Sequence, residues 1–268
     1  MNNRNKLLWQ LQHPDFSGPC YLFGTMHSRD AESRERFAYV YEYIDRCEGF
    51  ATEFDLNEEA DIQTPDNFML PDGKTLADYL PPRQYEKMTR MFRRAFGIDL
   101  RRFASLRPLL LQSVLSESVL RSVHPESLDA HLFSYAASRG KELFGVESFD
   151  SQLEILGDLS VEEQVRSLLG IARNPAKFRR QLLQTHRLYL DENITQLYRS
   201  TRRGAGKTRK TLLFERNERM ADRIMELCRQ RTMFVAIGAA HFAGGKGVLR
   251  MLKHAGCRAE AVMGHPLF

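Results

Sequence analysis

The chain has 268 residues, 43% hydrophobic and 27% charged, and its 39 lysines and arginines outnumber 34 acidic residues to give a net charge of +5. That length holds a sizeable core, in one large domain or two small ones, and the composition excludes a disordered, collagen-like or coiled-coil chain. The positive balance comes with no RNA- or DNA-reading motif, so it reads as a mixed surface with extra arginines and no specific nucleic-acid partner.

The opening MNNRNKLLWQLQHPDFSGP holds only a two-residue apolar pair before polar residues return. A signal peptide needs a longer apolar stretch, and no run approaches the length of a membrane span. A cytoplasmic location is therefore expected. LLWQLQH and CYLFGT are short apolar runs joined by PDFSGP, turn chemistry that predicts a hairpin or adjacent strands. Ser33 to Arg46 reads as one helix, with Phe37, Val40, Tyr41 and Ile44 at three-four spacing. GFATEFDL is the next strand, ending in Glu53 and Asp55, and the polar stretch 57–74 is a loop or lid.

From Thr75 to Val123 the pattern is helical. SLDAHLFSYAASRG is a further helix, with Ser127 or Asp129 near its start and Gly140 at its stop. KELFGVES is a strand ending at Glu147. Phe149 to Arg199 is mostly helical, punctuated by Gly157, Gly170 and Pro175. The basic run 199–210 reads as an exposed linker. It contains TRRGAGKT, which lacks the glycine a P-loop needs where Thr201 stands, and no hydrophobic strand precedes it. A long helix over TLLFERNERMADRIMELCRQ, a strand TMFVAIGAA, a Gly-rich turn into the helix GGKGVLRMLKHAG and a last strand CRAEAVM complete the chain.

This order predicts an α/β (α+β) architecture: a central mixed sheet with helices on its faces and a large helical insertion in the middle of the chain. It is expected to be a single domain over 1–268, with the insertion at about 75–140 and a helical segment at about 149–230. Cys20, Cys47, Cys228 and Cys257 form no C-x-x-C pair, which excludes a zinc ribbon or a thioredoxin motif and suggests buried thiols in a reducing compartment.

Chemistry is expected at strand ends, because ligands in open α/β sheets collect beyond the carboxyl ends of the strands. Four predicted strands end in His27, Glu53, Glu147 and His241. If these strands are parallel neighbours, two imidazoles and two carboxylates converge. Such a set suits a divalent metal such as Zn, Mn or Co, which would acidify a bound water. Without a metal, one histidine could act as general base with a carboxylate orienting it. Both histidines end a Gly-x-x-His. With 17 glycines and 8 histidines, chance gives about half of one such match, so the weight lies in the apolar strand preceding each. Arg216 and Asn217, within FERNER, either form a solvated helix face or point toward a ligand carboxylate or oxyanion. Lys246 and the Gly-rich turn could also serve an anion. The other histidines, among them His131 and His186, have no partner at ligand spacing and read as structural or surface residues.

Five blocks then resemble the TraB/GumN family, which includes the Tiki proteases. They are LLWQLQHPDFSGPCYLFGTMHS, TEFDL, SLDAHLFSYAASRGKELFGVESFDSQLEIL, ERNERMADRI and FVAIGAAHFAGGKGVLRMLKHAG, in family order along almost the whole chain. The resemblance implies a fold shared with erythromycin esterases and haem-binding ChaN-like proteins. It implies a metal-dependent hydrolase of a peptide or other amide or ester bond. His27, Glu53 and His241 would hold the metal, with manganese or cobalt preferred in the Tiki branch. Glu147 would complete the shell or act as base, and Arg216, Asn217 and Lys246 would position the substrate. The alternatives are a non-catalytic protein that binds a peptide, haem or small molecule, and a metal-free esterase with His27 as base. Neither the substrate nor the oligomeric state follows from the sequence.

Overall fold

The computed structural model describes residues 5–55, 68–120, 123–148, 160–204 and 214–263. Expectations for the 57–67 part of the polar loop, for Gly157 and for the basic run from 205 onward lie outside the described residues. The protein is a mixed α/β chain, as its element order predicts, and the described residues form a six-stranded mixed sheet in the order β4-β3-β5-β2-β1-β6.

β1 (Leu8–Gln12) and β2 (Cys20–Thr25) form the expected antiparallel hairpin, pairing Leu8 with Phe23 and Leu11 with Cys20. β2 then pairs in parallel with β5 (Met233–Gly238), β5 with β3 (Gly49–Phe54), and β3 with β4 (Glu142–Glu147). β6 (Arg258–Ala261) closes the far edge antiparallel to β1. Every residue of β2 and the first five of β5 are buried, as expected of parallel strands covered on both faces. β6, at the edge, alternates exposed and half-buried residues.

Contacts divide the chain into two compact units, one from residues 1–61, 123–152 and 185–268 and the other from 62–122 and 153–184. The sheet unit packs around Phe23, Phe50 and Phe234, the last two stacked at 5.8 Å. Its helices among the described residues are α1 (Ala31–Arg36), α2 (Val40–Asp45), α5 (Leu128–Ser138), α8 (Ile194–Gly204), α9 (Arg216–Gln230) and α10 (Val248–His254). The single helix expected from Ser33 to Arg46 is instead two short ones. Phe37 leaves helical geometry (φ −102°, ψ 13°) and buries its ring edge-on to Phe23 and Tyr189, so core packing overrides the local periodicity.

The second unit is helical. α3 (Pro82–Phe96), α4 (Pro108–Leu120) and α6 (Val161–Arg173) bury Phe92, Leu111, Leu115 and Leu168 together. α7 (Pro175–Leu190) follows α6 in the chain. Gly170 does not punctuate this region, because α6 runs straight through it. A lone glycine costs a helix about 1 kcal/mol relative to alanine, too little to end one. The stop is Asn174, whose position before Pro175 disfavours the helical region.

All four cysteines are buried and free, as expected. His131 and His186 do find partners across the fold: His131 bonds Tyr41 and Glu126, and His186 lies 3.1 Å from Asp30. Among the described residues no helix is long and apolar enough to cross a membrane.

Candidate active site

The parallel pairing of β2, β5, β3 and β4 brings their carboxyl ends to one edge of the sheet. Thr25 pairs with Gly238, so His27 lies two residues beyond one strand end and His241 three beyond its neighbour. The chain after β5 does not run on as strand. It tightens into a 3-10 turn, Ala239–His241, which buries the His241 ring. A cavity of about 410 Å³ opens at this edge, with His27, Glu53, Thr25, Thr52, Asp129 and Gly238 in its wall. His27 is 65% exposed there, with Nδ1 3.7 Å from Asp129 Oδ2. Glu53 belongs to both surroundings: it lines the cavity, and its Oε1 lies 3.9 Å from His241 Nε2.

A chain of hydrogen bonds fixes how His241 presents itself. The Lys246 carbonyl can only accept, so the Asn217 amide nitrogen donates to it at 2.6 Å. That leaves Asn217 Oδ1 to accept from His241 Nδ1–H, also at 2.6 Å. The imidazole therefore carries its proton on Nδ1 and turns the Nε2 lone pair toward Glu53. Burial pushes the His241 pKa down to about 4, with Arg216 adding to the effect and the Glu53 charge opposing it. At neutral pH the ring is an uncharged base or ligand.

The carboxylates are held by one cation. Arg216, at the start of α9, donates to Glu53 Oε2 at 2.9 Å and, through Nε and Nη2, to Glu147 Oε2 at 2.8 and 2.6 Å. Glu147 is 1% exposed. Its second oxygen has no hydrogen-bond partner among the described residues, and Arg219 stands 3.6 Å away. Glu53 Oε1 accepts from the Gly238 backbone N–H at 2.6 Å. A side chain at Gly238 would put its Cβ 2.8 Å from that oxygen, so only glycine permits this approach. Burial alone would raise the Glu53 pKa. The His241 ring, the Arg216 guanidinium and the Gly238 amide outweigh it and hold the group below the usual carboxylate range. Burial would likewise lower the Arg216 pKa, but Glu53 and Glu147 raise it.

Sequence reasoning named Arg216, Asn217 and Lys246 for substrate positioning. In the structure Arg216 clasps the two acids, and Asn217 spans His241 and the Lys246 carbonyl. The Lys246 ammonium lies over the Phe214 ring at 5.2 Å. From local sequence Asp129 reads only as a helix-start residue, because its place on the cavity wall depends on long-range folding.

A divalent metal can be tested against the donors present. Among the described residues no three His, Cys, Asp or Glu side chains gather around one point. Two features nevertheless fit a metal. The Nε2 lone pair of His241 faces a carboxylate, and a side-chain acceptor locks its other nitrogen, the usual support for a metal-binding imidazole. His27 adds a borderline donor on the cavity wall that Glu53 also lines.

The depressed His241 pKa makes a pH prediction for the metal-free protein. In the unfolded chain the imidazole takes up a proton near pH 6.5, but in the fold it does so only near 4. Between those values the unfolded state binds more protons, so stability falls as pH is lowered from about 6.5 to 4. Urea unfolding at pH 7 and pH 5 should show the loss, and His241→Gln should flatten it. An equal slope in the variant would contradict this assignment.

The sequence profile described as the TraB/PrgY/gumN family matches residues 7–261. The chain is 24% identical to "Metalloprotease TIKI2" of Danio rerio over 96% of its own length and 61% of that protein, and 24% identical to the same-named protein of Xenopus tropicalis over 96% and 60%. It is 21% identical to an uncharacterized protein of Treponema pallidum over 94% of its own length and 82% of that one. The chain thus spans about three fifths of the two Tiki relatives. No solved structure matches it.

Proposed function

The chain belongs to the TraB/PrgY/gumN family, and from that membership we propose that it is a divalent-metal-dependent hydrolase of a peptide or other amide or ester bond, acting at the Glu53–His241 centre. One observation carries the reading: a buried, neutral imidazole is held by Asn217 with its lone pair facing Glu53, at the carboxyl edge of a parallel sheet. The Tiki relatives, named as metalloproteases, support the hydrolase class.

His241, Glu53 and His27 are the residues that would hold the metal. Bound there, a divalent ion would supply Lewis acidity toward water and toward the substrate carbonyl. Asn217 keeps the His241 tautomer, and Arg216 keeps Glu53 ionised at neutral pH. Glu147 anchors Arg216 from behind. The cavity is of a size that takes a few residues of a peptide or a small ester.

Arg216 already neutralises much of the Glu53 charge, which favours a second reading in which a histidine acts as base without metal. The test is metal analysis of the purified protein together with peptide and ester cleavage before and after chelation. The expected result is about one divalent ion per chain, with cleavage lost on chelation and restored by manganese or cobalt. Cleavage unaffected by chelation would select the metal-free reading. Tight ligand binding without cleavage would select a binding protein.

A further inference from the structure

The two histidines are supported in parallel ways. His241 meets the Asn217 oxygen at Nδ1. His27 has the Asp129 carboxylate 3.7 Å from its own Nδ1. Asp129 stands in the first turn of α5, where an acidic residue could serve as a helix cap. It does not serve as one, because the Ser127 hydroxyl accepts from the Ala130 N–H and takes the capping role. The Asp129 carboxylate is thus left for another purpose. Its Oδ2 is fully enclosed and has no hydrogen-bond partner among the described residues, a costly condition for a charged oxygen.

The backbone fixes the two residues relative to each other. The Leu128 N–H donates to the Ser28 carbonyl at 2.9 Å, which ties the residue before Asp129 to the residue after His27. The N–H groups of Val123 and His124 both donate to the Arg29 carbonyl, pinning the segment that leads into α5. The start of α5 is therefore laced to the segment that carries His27. A 3.7 Å separation is outside hydrogen-bond range, but bonds at catalytic centres are often long until a ligand is bound.

We propose that Asp129 is the positioning residue of His27, accepting from its Nδ1 so that the ring offers Nε2 to the cavity, as Asn217 does for His241. This rests on reading His27 as part of the functional site, and it names a residue that reading leaves out. Asp129 acts through the imidazole rather than on the substrate.

The tautomer of His27 is the direct readout. An unrestrained neutral imidazole favours a proton on Nε2, whereas an acceptor at Nδ1 reverses that preference. Long-range ¹H–¹⁵N spectra of ¹⁵N-histidine-labelled protein at pH 8.5, assigned with His27→Gln, should show His27 as the Nδ1–H form in the metal-free wild type. Asp129→Ala should return it to the Nε2–H form. The same change should weaken manganese binding, read by titration calorimetry, about 10–100-fold. Asp129→Asn keeps an acceptor oxygen and should retain the Nδ1–H form with less than a tenfold loss. Far-UV circular dichroism checks folding, and the asparagine variant preserves the shape of the site if the alanine variant does not fold.

An unchanged tautomer in Asp129→Ala would overturn the proposal. So would equal losses of manganese affinity in the two variants, which would mark a charge effect rather than positioning. The tautomer response in a wild type that binds no manganese would uphold the role of Asp129 while removing the metal from the proposed function.

Discussion

Arg216→Leu is expected to lower the free energy of unfolding of the sheet unit by about 3–5 kcal/mol, the cost of removing one partner from a buried ion pair. The Arg216 side chain is 12% exposed, and its guanidinium is shared by two acids. Its loss leaves Glu147, enclosed at 1% exposure, with only the more distant Arg219 at 3.6 Å, and deprives Glu53 of its charged partner. A domain holds only about 5–15 kcal/mol in total, so the variant should be marginal. Trp9 is the sole tryptophan and is buried in β1, so its fluorescence in a urea titration reports on the sheet. Arg216→Lys should fall between wild type and leucine, because an ammonium cannot match the forked donation to Glu147. Replacing Arg216 and Glu147 together by leucine should recover part of the loss, since Glu147 is then no longer enclosed without its partner, while Glu53 still lacks its own. A single-variant loss below about 1 kcal/mol would mean that the clamp is not structural.

His241→Gln is expected to reduce the proposed hydrolysis at least about 10²-fold, because it removes an imidazole that would hold the metal or, in the metal-free reading, act as base. Glutamine nearly fills the space but cannot present a ring lone pair to Glu53. Asn217→Ala should give a smaller loss, about 10–100-fold, because it frees the tautomer without removing the ring. The order of these two effects separates this centre from a merely packed histidine. If His241→Gln kept activity within a factor of about three of wild type, His241 would be removed from the chemistry.

Much of this arrangement could be read from local pattern. The hairpin of β1 and β2, the buried run of β5 and the glycine-stopped helix α5 follow from apolar spacing and turn chemistry. The strand ends at His27, Glu53, Glu147 and His241 were also legible, and the sheet sets those ends at one edge. Long-range partners were not legible. Nothing in the spacing says that Asn217 meets His241, that Arg216 joins Glu53 to Glu147, or that Asp129 faces His27, because each pair is set by strand order and helix docking. The break at Phe37 was hidden for a related reason: an aromatic at a helical position fits the period equally well whether or not the core pulls it out of the helix. His186 likewise looked isolated until the fold set Asp30 beside it.

The strand order also bears on how the molecule comes off the ribosome. β5 lies between β2 and β3, yet some 180 residues separate it from the nearer of them. Until it emerges, the hairpin of β1 and β2 and the pair of β3 and β4 have no common strand to join them, and their inner edges stay open to any passing β-rich chain. Assembly must therefore wait for late translation and should be slow, as non-local topologies are. Chaperone dependence and aggregation of chains stalled before Met233 are the expected signs of that delay.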